Sequence, residues 1–252
     1  MNNSNQIMAH LIAGFPDKKG FLEALRAISD SGIQTLELQI PFSDSIADGP
    51  IITEACSHVL AQGFRVSETD YYIEQAFKLG IKEVYLMTYA NIVYRKGIVN
   101  FVNHYKDKKC TGFIVPDFNL DDEEHFYAYS KKAGLEPVPV ISINIMPERI
   151  KMLSDYKKVY VAIRTGITGS KTELSQEITD FLLRLKPIQI FAGFGIQSSE
   201  QIEQLTPFCE KAVVGSYITA AIIKALKTKG NIFDTVKEAL DKLVTTSSQN
   251  NS

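Results

Sequence analysis

A regular alternation constrains this chain more than any other feature. Short apolar runs suited to strands are each followed by a segment with helical spacing. The pattern predicts strands at 7–14, 35–40, 83–89, 111–116, 137–142, 158–163, 188–192 and 212–214. The first helix is capped by Asp17 and carries Phe21, Leu22, Leu25 and Ile28 at helical spacing, with Gly32 closing it. Further helices are predicted at 51–61 behind Pro50, at 68–79, 97–108, 121–132, 147–156 and 173–185. Ser198 caps one that runs to Leu205, another begins at Tyr217, and the last spans 232–245. Strict alternation implies parallel strands joined by right-handed crossovers. The 252 residues suit one α/β domain, a TIM barrel of (β/α)8 type with extra helices, over 1–252 and frayed at 1–6 and 246–252. Pattern alone also admits a doubly wound sheet.

Within this frame, residues 35–50 read TLELQIPFSDSIADGP. Strand side chains alternate in direction, so Leu36, Leu38 and Ile40 share one face and Thr35, Glu37 and Gln39 the other. A carboxylate on an apolar strand flanked by helices is expected to be paired, protonated or functional, because burying a lone charge is costly. Asp44 and Asp48 follow in the loop after Pro41. Glu37 with Asp48 suits a general acid or base and a second polar helper.

Composition narrows the classes. Apolar residues make up 45% and charged residues 22%, as in a globular protein, and the net charge of −2 gives no basic field for nucleic acid. Cys56, Cys110 and Cys209 are scattered and form no metal spacing, which points to reduced thiols and a cytoplasmic protein. The first residues lack the basic region of a signal peptide, and no apolar run is long enough for a membrane span.

In a barrel, the strand C-termini and their following loops carry the site. Three late loops bear glycines there: Arg164 to Ser170 with Gly166 and Gly169, then Gly193 to Gly195, then Gly215 with Ser216. Glycines let backbone N–H groups approach a phosphate, and a following helix N-terminus adds positive potential. Gly166 and Gly169 also suit the pivots of a lid. His58, His104 and His125 fall on helices, while His10 lies on the first strand, toward the pocket.

Residues 35–50 resemble the signature of the tryptophan synthase alpha subunit, LE(L/I)GIPFSDPxADGP, with Gln39 for Gly and Ser45 for Pro. The resemblance covers nearly the whole chain. LMTYAN at 86–91, VPD at 115–117, RTGITG at 164–169, GFGI at 193–196 and VVGS at 213–216 match other motifs of that family. Phe118 and Asn119 depart from it, and the helix that precedes the first strand in relatives, flooring the barrel, is almost absent.

The resemblance implies retro-aldol cleavage of indole-3-glycerol phosphate to indole and glyceraldehyde 3-phosphate, without a metal or organic cofactor in this chain. Glu37 would be acid and base for the ring carbon and the side-chain hydroxyl, and Asp48 would take the ring N–H. Gly169, Gly195, Gly215 and Ser216 would hold the phosphate. Phe194 would pack on the indole, Tyr160 would line the pocket, and Thr168 would reach Asp48 on loop closure. The resemblance also implies a partner, a beta subunit carrying pyridoxal phosphate, in an alpha-beta-beta-alpha assembly. The loop from Pro41 to Asp48, with Asp44 exposed, would be the contact. Gln39 is expected to crowd the substrate and weaken cleavage, so that Gln39→Gly raises turnover, and Ser45 is expected to loosen the loop. An alpha subunit weakened in this way would act mainly as an activator of its partner.

Overall fold

The structure is a computed structural model that describes residues 2–163, 174–193 and 195–245. Nine parallel strand segments form its sheet: β1 (Ile7–Ile12), β2 (Thr35–Gln39), β3 (Glu83–Met87), β4 (Gly112–Ile114), β5 (Glu136–Val138), β6 (Val140–Ser142), β7 (Lys158–Ala162), β8 (Gln189–Gly193) and β9 (Lys211–Val214). Their order is β5-β4-β3-β2-β1-β9-β8-β7-β6. The two ends of that order are one run of chain, interrupted at Pro139. Glu136–Val138 pairs with β4, and Val140–Ser142 pairs with β7. Proline has no N–H to donate to a ladder, but its carbonyl still accepts, at 2.9 Å from Tyr160 N. Counted as one strand, the run at 136–142 gives eight around a TIM barrel and excludes the doubly wound alternative.

The two faces divide as alternation requires. Leu36, Leu38 and Ile40 belong to the outer core, the cluster that also takes in Phe21, Leu25 and Ile28 of the first helix, Lys18–Asp30. Met8, Tyr85, Met87, Ile114, Val138, Phe191 and Val213 form a separate inner cluster. Tyr85 and Phe191 meet there edge to face at 5.1 Å. Asp17 caps the first helix as expected, accepting from Gly20 N at 2.8 Å, a contact of about 1 kcal/mol.

Elsewhere the local structure departs from the expectation. The helix expected over 97–108 is preceded by a second, Ala90–Lys96, and Gly97 at φ +80° separates them from Ile98 onward. The helix expected over 121–132 spans Phe126–Ala133. Asp122 and His125 adopt left-handed φ values of 48° and 59°, so the chain turns before it coils. Asp122 then lends its carboxylate to Tyr127 N and Ala128 N. Asp122 thus caps the helix from outside rather than filling its first turn.

The stretch before β1, expected to fray, contains a 3-10 turn, Asn3–Gln6, with Asn3 and Ser4 buried. Asn3 Nδ2 donates to Leu243 O at 3.3 Å, and Lys211 Nζ donates to Asn5 O at 2.6 Å. The turn therefore lies at the N-terminal ends of the strands, where the resemblance leads one to expect a helix. Among the described residues, no helix is long and apolar enough to cross a membrane.

Candidate active site

Register brings the polar residues of the first two strands side by side. His10 is level with Glu37, Glu37 with Tyr85, and Ile12 with Gln39. In a parallel pair, residues at one level face the same way. Glu37 therefore points into the barrel and is 4% exposed. Burial, and then the negative charge of Asp48, push its carboxyl from the usual 4.5 up to about 8. Among the described residues, no cation joins burial and Asp48 as a cause of that shift. Glu37 is thus protonated at neutral pH, a form that can give up a proton.

Asp48 reaches the same space from the loop after β2. Its N–H donates to Ser45 O at 3.1 Å, and its Oδ2 accepts from Gln39 Nε2 at 2.7 Å. Ser45, expected to loosen this loop, is buried, and its hydroxyl lies 3.5 Å from that of Thr53. Tyr89, fully buried at the end of the third strand run, accepts from Ala47 N at 3.3 Å, and burial followed by the charge of Asp48 raises its phenol above the usual range. Its ring stacks on Phe42. Burial, followed by the charge of Asp48, pushes the Cys56 thiol up to about 12, so it stays neutral beside Gln39 Nε2 at 3.6 Å. Asp117 serves elsewhere. Its carboxylate takes the N–H of Ala90 at 2.9 and 3.1 Å and starts the short helix after β3.

Tyr160 belongs to the edge of the inner cluster. Burial first, then the charges of Glu37 and Asp48, hold its phenol well above the usual range. Gly193 makes room for it, because a Cβ there would lie 2.7 Å from Tyr160 Cε1. Gly193→Ala is expected to cost about 1–3 kcal/mol by overpacking, read as a lower urea midpoint. Adding Tyr160→Phe, which removes the hydroxyl nearest the new carbon, is expected to recover part of the loss.

The phosphate candidates lie at strand ends. Gly195 has φ +66° and open space where a Cβ would stand. Gly215 precedes the helix Ser216–Thr228, whose first N–H groups are free of any side-chain cap. Asp44 is exposed on the loop, and Ile46 beside it is 70% exposed. Thr168, Gly169 and Phe194, with Arg164 and Gly166, lie outside the described residues.

The structure gives three residues contacts that the sequence did not announce. Tyr89 stood in the sequence only as part of the motif at 86–91. Gln39 was singled out for its bulk, but its amide is held at both ends, by Asp48 and by His10 Nε2 at 2.7 Å. His10 faces inward as its strand position suggested, and only register reveals its link to Gln39.

A family model described as tryptophan synthase alpha chain matches residues 1–248. Among curated relatives, the tryptophan synthase alpha chain of Helicobacter hepaticus is 34% identical over 241 residues, covering 90% of this chain and 89% of that one. The counterpart from Caldicellulosiruptor saccharolyticus is 33% identical over 232 residues, covering 90% of each. A solved chain of the tryptophan synthase a2b2 complex from Pyrococcus furiosus superposes with a TM-score of 0.86 at 29% identity, covering 96% of this chain and 99% of that one. A chain of the Mycobacterium tuberculosis tryptophan synthase gives a TM-score of 0.81 at 26% identity, covering 96% and 93%.

Proposed function

Because the chain belongs to the tryptophan synthase alpha chain family, we propose that it cleaves indole-3-glycerol phosphate to indole and glyceraldehyde 3-phosphate, with Glu37 and Asp48 as its working carboxyl groups. The observation that carries this reading is the inward Glu37 carboxyl, buried and pushed up to about 8 beside Asp48. A protonated acid and an acceptor in one water-poor pocket suit this chemistry.

Glu37 gives its proton to the ring carbon that bears the side chain. The ring nitrogen becomes positive, and Asp48 takes its N–H in a charge-assisted hydrogen bond. The Glu37 carboxylate then removes the proton from the neighbouring side-chain hydroxyl. The carbon–carbon bond breaks, its electron pair returns to the ring, and an aldehyde forms. Glu37 ends protonated as it began. Tyr160 packs beside the substrate, and the phosphate lies against Gly195, Gly215 and Ser216, with Gly169 from outside the described residues. Phe194 and Thr168 keep the roles that the resemblance implies, against the indole and toward Asp48. The step asks for no cofactor from this chain.

The related Pyrococcus chain belongs to an a2b2 complex, which supports a beta subunit as partner in the same arrangement. Pyridoxal phosphate would belong to that subunit. The exposed Asp44 and Ile46 suit its contact loop. Three free thiols suit a reducing compartment, here the cytoplasm.

The test is indole release from indole-3-glycerol phosphate, with and without the beta subunit, beside Glu37→Gln as blank. Indole above the blank, rising when beta is present, is expected. No indole, with a faster serine-plus-indole reaction of beta when this chain is added, would replace the lyase reading by that of an activator.

A further inference from the structure

Gln39 and His10 take no part in the proton transfers above, yet both are buried and joined to Asp48. Gln39 is wholly buried and His10 is 6% exposed. The chemistry of each partner leaves the group one way round. A carboxylate only accepts, so Gln39 must turn its NH2 toward Asp48 Oδ2, 2.7 Å away. The other end of the amide is then a carbonyl, which also only accepts. His10 Nε2, 2.7 Å from that oxygen, must therefore carry hydrogen. Neutral imidazole has one N–H, so Nδ1 is left bare. Nδ1 is indeed buried with no protein partner among the described residues, packed where a Cβ on Gly215 would come within 3.1 Å. Burial holds His10 below its usual 6.5, in keeping with the neutral ring.

We propose that His10 and Gln39 are positioning residues: a hydrogen-bonded bridge from β1 through β2 that fixes the Asp48 carboxylate. Asp48 sits on a loop, whereas His10 and Gln39 sit on paired strands. The bridge lends the strands' rigidity to the loop carboxylate, and loop sites without such support are imprecise. This inference rests on the reading of Asp48 as partner of the ring N–H. It reverses the expected effect of Gln39. The side chain does not crowd the site; it orients a group within it.

The test is a double-variant cycle measured as kcat and KM for indole release. Gln39→Met keeps the bulk and removes both hydrogen bonds, and His10→Phe keeps the ring. Each is expected to lower kcat by about tenfold to a hundredfold, the cost of a small misplacement, with KM changed less than about threefold. The double variant should lose no more than the worse single one, because both break one bridge. Losses that multiply, an unchanged Gln39→Met, or a faster Gln39→Gly would overturn the proposal. Imidazole nitrogen-15 shifts give a reading that needs no activity. Wild type should show hydrogen on Nε2 of His10, and Gln39→Met should lose that preference. If wild type releases no more indole than Glu37→Gln, the lyase reading fails, while hydrogen on Nδ1 instead of Nε2 would sink the bridge itself.

Discussion

Glu37→Gln is expected to cut indole release by about 10²- to 10⁴-fold, the range for loss of a general acid and base, and to make the fold more stable at alkaline pH. Both effects come from one buried carboxyl. Its pKa is 4.5 in ordinary surroundings and about 8 in the fold. Between those values the folded chain holds a proton that the unfolded chain has lost. Wild-type stability therefore falls as pH rises through that window, and the loss is complete above about pH 8. The full difference is on the order of 3–5 kcal/mol, at about 1.4 kcal/mol per pH unit. Glutamine carries no charge at any pH, so the variant has no such slope. Urea midpoints at pH about 6 and about 9 check this. Activity and stability should move in opposite directions, as expected where an enzyme keeps a strained group for its chemistry.

Asp48→Asn is expected to lower turnover by about 10²- to 10³-fold, as for loss of one electrostatic stabiliser of transition-state charge. Its amide oxygen can still accept from Gln39 Nε2, so the loop keeps that contact. Its NH2 cannot accept the ring N–H. The variant has a second signature. The charge of Asp48 is the second cause, after burial, of the high Glu37 value. Removing that charge should lower the Glu37 pKa while leaving it well above 4.5. The alkaline fall in activity should then begin at lower pH than in wild type, by about one pH unit or less. Variants that only loosen the fold would not move that limb.

The barrel was legible because its signals are local and repeated. Eight apolar runs separated by helical spacing leave few alternatives, and two-residue alternation along 35–40 puts Glu37 inside before any contact is known. Asp17 was legible as a cap because capping lies within three residues. Residues 121–125 were not, because Asp122 and His125 take left-handed backbone angles that a run of acids does not announce. Pro139 was read as part of a strand, and only pairing shows that it divides one run between two neighbours. In the site, Glu37 stood out because carboxylates are rare on an inward face, and Asp48 because it follows in the next loop. The bridge did not, because His10 and Gln39 are 29 residues apart and meet only when β1 and β2 pair in register. Without that link, a large polar side chain where the resembling signature has glycine reads as an obstruction.

The measurement that bears most directly on the account is the pH dependence of kcat/KM for indole release by this chain with its beta partner. The account predicts constant activity at neutral pH, falling about tenfold per pH unit above about 8 as Glu37 loses its proton, and an earlier fall in Asp48→Asn. Activity that instead rises from about pH 4.5 and stays level through about 9 would identify the working group as an ordinary exposed carboxylate and contradict a buried, protonated Glu37 as the acid.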